Sequence, residues 1–151
     1  MTERIAVIGM GQMGSAMASR LSEAQYDVMG YDINEATRQA LVDQGVNMAD
    51  SLAAALAGRT TVLTSLPDPT AVKGAWLGES GIIALAEDGS MLIELSTIDP
   101  DCMKEVGAAA AAKGLAVLDC PVSGSPNEAG TGKLVLLVGG EAPTLERAEP
   151  L

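Results

Sequence analysis

Five short apolar runs alternate with longer segments of helical pattern, and that alternation leaves few folds open to the chain. The runs are "RIAVIG" (Arg4 to Gly9), "DVMGYD" (Asp27 to Asp32), "TVLTSL" (Thr61 to Leu66), "MLIEL" (Met91 to Leu95) and "LAVLDC" (Leu115 to Cys120). Helices are predicted near Gly11 to Ala24, Asn34 to Gln44, Ser51 to Ala57, Pro69 to Trp76 and Asp99 to Lys113. The last is the best marked, with Asp99 as N-cap, Pro100 at the first helical position and Gly114 just past the end. Strands separated by helices form βαβ units, so the expected fold class is α/β, a mostly parallel sheet flanked by helices. "KLVLLVGG" (Lys133 to Gly140) predicts one further strand, an antiparallel edge strand because only a loop precedes it. "EAPTLERAEPL" then starts as a helix would. At 151 residues the chain is expected to form one domain, 1–151.

The first apolar run carries the chemistry. "IAVIGMGQMGSAMASRL" sets Gly9, Gly11 and Gly14 in the pattern G-x-G-x-x-G, directly after a strand and opening a helix. Gly9 permits a tight turn, Gly11 lets backbone approach a diphosphate, and Gly14 lets helix pack closely on strand. The helix N-terminus, with its free amides and positive dipole end, then faces the phosphates. Asp32 closes the second run 18 residues after Gly14, near the ~20-residue spacing of a ribose-binding acid. An aspartate there accepts hydrogen bonds from a free 2'-hydroxyl and repels a 2'-phosphate. The expected cofactor is therefore NAD, with NADP as the alternative, held by a Rossmann-type domain. A cap or solvated turn is the bland role for Asp32. Arg38 lies a full helical turn beyond Asn34.

Ligands of open α/β sheets bind beyond the carboxyl ends of the strands, which selects three more stretches. Leu66 and Pro67 of "LPDP" form a stiff turn after the third run. Ser96 and Thr97 of "ELSTIDP" offer hydroxyls after the fourth, where plain helix-entry chemistry is the competing role. After the fifth, Ser123, Gly124 and Ser125 of "DCPVSGSPNEAG" supply hydroxyls and backbone amides in a loop that can curl around a small carboxylate.

Taken in order and at their spacing, "GMGQMG", "LP", "STIDP" and "DCPVSGSPNEAGTGKLVLLVGG" resemble the β-hydroxyacid dehydrogenases, which include 3-hydroxyisobutyrate, tartronate semialdehyde and glyoxylate/succinic semialdehyde reductases. The resemblance covers essentially the whole chain. It implies that Gly9, Met10, Gly11, Gln12, Met13, Gly14, Tyr31, Asp32, Leu66, Pro67, Ser96 and Thr97 contact the dinucleotide, and that Ser123, Gly124 and Ser125 bind a substrate carboxylate. Ser125 stands where the family commonly has a second glycine, and Ser123-Gly124-Ser125 is more similar to the glyoxylate/succinic semialdehyde branch; that branch usually carries an Asn-Arg pair after the second strand and uses NADPH, whereas Asp32 points to NAD. Cys120 replaces a usual alanine.

The same resemblance places the catalytic lysine of the family in a second, all-helical domain outside this chain, so no catalytic residue is expected in 1–151. The residues agree. There is no histidine; the lysines are Lys73, Lys104, Lys113 and Lys133, of which only Lys133 lies near a ligand loop in sequence, and Glu128 is expected to face water. The expected activity is hydride transfer between nicotinamide and a small 3-hydroxy acid or its aldehyde, by a homo-oligomer when full-length. A stand-alone NAD-binding sensor and a degenerate interaction domain are the alternatives from other classes.

Composition removes several partners. A net charge of -11 argues against nucleic acid. Two cysteines, Cys102 and Cys120, with no histidine supply neither a disulfide framework nor a metal spacing. No basic leader or long apolar segment precedes "IAVIG", so no membrane partner and a cytoplasmic setting are expected.

Overall fold

A computed structural model describes residues 2–151. The elements run β1 (Arg4–Ile8), α1 (Gln12–Glu23), β2 (Asp27–Tyr31), α2 (Glu35–Asp43), α3 (Leu52–Leu56), β3 (Thr61–Thr64), α4 (Pro69–Trp76) and α5 (Ile82–Leu85). They continue as β4 (Met91–Glu94), α6 (Pro100–Ala112), β5 (Ala116–Asp119), β6 (Val122–Ser123), α7 (Pro126–Gly130), β7 (Val135–Leu136), β8 (Gly139–Gly140) and α8 (Ala142–Ala148). The main sheet has the order β2-β1-β3-β4-β5-β8, parallel throughout except for β8 against β5. This is the expected Rossmann-type α/β sheet with an antiparallel edge.

Alternation along the strands divides the core. Ala6 and Ile8 of β1 pack with Val62, Leu92, Val72, Trp76 and Val106 on the face covered by α3 to α6. Ile5 and Val7 pack with Leu63, Ile93, Leu118 and, from α1, Met17 and Leu21 on the other. Side chains two apart share a face while neighbours oppose, and burial on both faces explains why these strands read as unbroken apolar runs. Short polar side chains start the helices between them: Asn34, Ser51, Asp68 and Asp99 each accept a backbone N–H from the first turn of α2, α3, α4 and α6.

The predicted strand over Lys133 to Gly140 divides in two. Val135 and Leu136 pair antiparallel with Val122 and Ser123 in a separate small sheet, and only Gly139 and Gly140 reach the edge of the main one, opposite Asp119 and Leu118. Pro121 has no N–H to continue the ladder, and the chain leaves the sheet there, taking the partner strand β6 with it. Gly140 then returns at φ +156°, where a Cβ would stand 3.0 Å from the Val117 carbonyl oxygen, a place that favours glycine. Among the described residues no helix is long and apolar enough to cross a membrane.

Candidate functional site: a dinucleotide cleft at the sheet switch point

From β1 the chain goes first to β2 on one side and then, by α2 and α3, to β3 on the other. The connections that leave the carboxyl ends of β1 and β3 therefore diverge, and a cleft opens between them. It measures about 1090 Å³ and is lined by Gly9, Gly11, Gln12, Met13 and Gly14 on the glycine turn, Tyr31, Asp32 and Ile33 past β2, and Ser65, Leu66 and Pro67 past β3. Ser51, Leu52 and Ala53 of α3 and Ala71, Gly74 and Ala75 of α4 complete the walls.

The glycine turn is built as its pattern requires. Gly9 sits at φ +91°, where a Cβ would strike the Ser65 carbonyl and stand 2.9 Å from Leu66 Cδ2. A Cβ on Gly14 would strike the Gly9 carbonyl, so α1 lies directly against the turn. Gly11 is different: nothing lies within 4 Å of the place its Cβ would take. That open space belongs to the cleft. Gly11 is also the N-cap of α1 and offers no side-chain oxygen, so the first amides of a 12-residue helix are left without a cap where the turn meets the cleft. An open backbone cradle at a positive helix end fits a diphosphate.

Asp32 lies at the β2 end. Its Oδ2 accepts the Met10 N–H and its Oδ1 the Asn34 N–H, both at 2.9 Å, so it holds the glycine turn as well as the start of α2. Each carboxylate oxygen keeps a second acceptor site, which a ribose hydroxyl can use. Met10 takes part only through its backbone, because its side chain is buried against Met48 and Gly30. Arg38 reaches back across the turn: Nη1 donates to the carbonyls of Asp32 at 2.8 Å and Ile33 at 3.2 Å, and the guanidinium lies 5.6 Å from the Tyr31 ring centroid.

The remaining predicted residues occupy other places. Ser96 is buried, and its Oγ accepts the Leu66 N–H at 2.8 Å. Thr97 is exposed and does not line the cleft. Ser123, Gly124 and Ser125 form an exposed loop after β5, also outside the cleft lining. There Glu128 does not simply face water, as its sequence position suggested. Its carboxylate accepts both the backbone N–H and the hydroxyl of Ser125, capping α7. Lys73 pairs with Glu105, and Lys113 donates to the carbonyls of Ile83, Ala84 and Ala86; among the described residues no lysine lines the cleft.

Sequence reasoning missed Ile33, Ser65 and the walls from α3 and α4. Ile33 is 89% exposed, an aliphatic side chain left at the cleft rim, and its position directly after the strand-ending acid was the available signal. The α3 wall had none, since "SLAAAL" reads only as a helix.

Fold and cleft together define a dinucleotide-binding domain. Comparison with known proteins makes the class specific: residues 4–151 match the model of the NAD binding domain of 6-phosphogluconate dehydrogenase, and the chain belongs to that family, in its 3-hydroxyisobutyrate dehydrogenase-like group. It is 39% identical over 149 residues to the NAD-dependent L-serine dehydrogenase of Pseudomonas aeruginosa, covering 99% of this chain and 50% of that protein. It is 40% identical over 147 residues to the 3-hydroxyisobutyrate dehydrogenase of the same organism, covering 97% of this chain and 49% of that protein. The structure of Mycobacterium tuberculosis 3-hydroxyisobutyrate dehydrogenase with L-serine superposes with a TM-score of 0.91 at 33% identity, over 99% of this chain and 50% of that one. The chain thus spans about half the length of the relatives it matches.

Proposed function

We propose that this chain is the cofactor-holding part of an NAD-preferring β-hydroxyacid dehydrogenase, which moves hydride between the nicotinamide and a small 3-hydroxy acid or its aldehyde. The observation that carries the cofactor preference is Asp32, placed at the cleft end with free acceptor capacity and a negative charge that repels a 2'-phosphate. NAD, when bound, supplies the hydride acceptor; the glycine turn and the α1 amides hold its diphosphate, and Tyr31, Asp32 and Ile33 take the adenosine end. Leu66 and Pro67 wall the other side.

For the substrate, the relatives named for L-serine and 3-hydroxyisobutyrate support a small 3-hydroxy carboxylate, with Ser123, Gly124 and Ser125 as its carboxylate seat. Among the described residues, Tyr31 and Asp32 are the only ionisable side chains lining the cleft, and both belong to the cofactor end. Proton transfer to or from the hydroxyl needs a group of suitable pKa beside it. The lysine that the family resemblance implies is not among these residues, so residues 1–151 alone bind dinucleotide without turnover. Titration of the 151-residue chain with NADH and NADPH, followed by assay with NAD and L-serine or 3-hydroxyisobutyrate, tests this. Tighter NADH binding with no turnover is expected; equal affinity for the two cofactors, or measurable turnover, would overturn the corresponding part.

A further inference from the structure

Beneath the cleft lies a buried carboxyl that no part of this function uses. Glu94, the last residue of β4, is 0% exposed. An acid in that position costs stability unless its hydrogen bonds repay the lost hydration, and Glu94 has them. Oε2 accepts the Thr64 hydroxyl at 2.6 Å and Oε1 accepts the Ser96 N–H at 2.7 Å. The Trp76 indole N–H donates in turn to Thr64 Oγ1 at 3.3 Å. The ends of β3 and β4 and the last turn of α4 are thereby tied to one side chain.

The ties lead to the cleft. Ser96, whose amide bonds Glu94, accepts the Leu66 N–H on its Oγ. Leu66 and the Ser65 carbonyl fill the space that a Cβ on Gly9 would need, so the turn after β3 is the floor on which the glycine turn rests. The Ser96 hydroxyl is buried, takes the Leu66 amide and does not line the cleft.

We propose that Glu94 is a positioning residue which, through Ser96 and Leu66, holds the glycine turn in its diphosphate-binding shape. Ser96 accordingly acts on the dinucleotide through Leu66 and not by contact with the nicotinamide half. The proposal rests on the dinucleotide reading of the cleft. It makes a distinction that direct contact does not: loosening the floor weakens every ligand that carries the diphosphate, whichever groups hang from it.

The test uses the 151-residue chain, wild type, Ser96→Ala, Glu94→Gln and the double variant, with thermal melts and with NADH, ADP-ribose and adenosine as ligands. NADH and ADP-ribose share the diphosphate; adenosine lacks it and reaches only the Asp32 end. Each single variant is expected to bind NADH and ADP-ribose at least fivefold more weakly, with adenosine changed less than twofold. The double variant should lose no more than the worse single one, because both act along one chain of contacts. A loss confined to NADH, or additive losses, or no loss at all, overturns the relay. Should Glu94→Gln fail to melt cooperatively, Ser96→Ala decides alone by the ADP-ribose result. Failure of the wild type to bind either diphosphate ligand overturns the dinucleotide reading and the relay with it, an outcome distinct from normal wild-type binding with unaffected variants.

Discussion

The Oδ2 of Asp32 accepts the backbone N–H of Met10 at 2.9 Å. The residue expected to recognise the ribose therefore also clamps the turn that faces the diphosphate, and its removal has two separable consequences. Asp32→Ala should weaken NADH by about 10- to 100-fold, the range for lost hydrogen bonds to a charged group. NADPH should lose less, because it loses the clamp but also a repulsion. Fluorescence titration of both cofactors gives the comparison, and equal losses would mean that Asp32 acts through the turn alone.

Arg38 should decide what happens when the charge on Asp32 is removed gently. Its guanidinium already bonds the Asp32 and Ile33 carbonyls, so it is a cation held at the turn where the proposed reading seats the adenosine ribose. Asp32→Asn keeps a polar side chain on the turn and should shift the NADPH to NADH affinity ratio about tenfold toward NADPH. Adding Arg38→Ala should abolish that shift. A shift that survives the second change would show that another group receives the phosphate.

Gly9 and Gly11 make opposite predictions although they share one motif. Gly9→Ala meets a left-handed backbone and a carbonyl collision, and should lower stability by about 1–3 kcal/mol from strain alone, visible as a fall in Tm. Gly11→Ala has open space and should leave Tm nearly unchanged. Its methyl group stands on the ligand side, however, and should weaken NADH binding severalfold. A large Tm loss at Gly11 would contradict the geometry described above.

Burial pushes the Glu94 carboxyl above the ordinary 4.5, against the hydrogen bonds that Ser96 and Thr64 donate to it. Asp119, its register partner on β5, is also raised by burial. A carboxyl whose folded pKa exceeds its unfolded one favours the folded state while protonated, and that contribution is lost as pH rises from the unfolded value through the folded one. Wild-type Tm should therefore fall as pH rises above 4.5 relative to Glu94→Gln, whose side chain does not titrate. Parallel pH profiles of Tm for the two proteins would remove Glu94 as the source.

Much of this was legible along the chain. Pro69 to Trp76 is a helix with the predicted limits, and each of the five predicted strands lies within its run, shortened by one or two residues at an end. Those signals are local: apolar runs, caps and prolines act on neighbouring residues. "KLVLLVGG" misled because its continuous apolar pattern carries no mark of where a partner strand ends, and only the departure of β6 at Pro121 divides it.

At the site the same division holds. The amino-acid sequence by itself determined the parallel α/β order, the glycine turn and the acid that follows it, because each depends on residue type at short spacing. Only the tertiary structure decided that Asp32 clamps Met10, that Arg38 folds back over Tyr31, and that Ser96 joins Glu94 through its amide and Leu66 through its hydroxyl. Those contacts join strand ends up to 30 residues apart in the chain. Their partners are chosen by packing, which brings hydrogen-bonding groups together in a buried space where each must find another, and no spacing in the sequence records the choice.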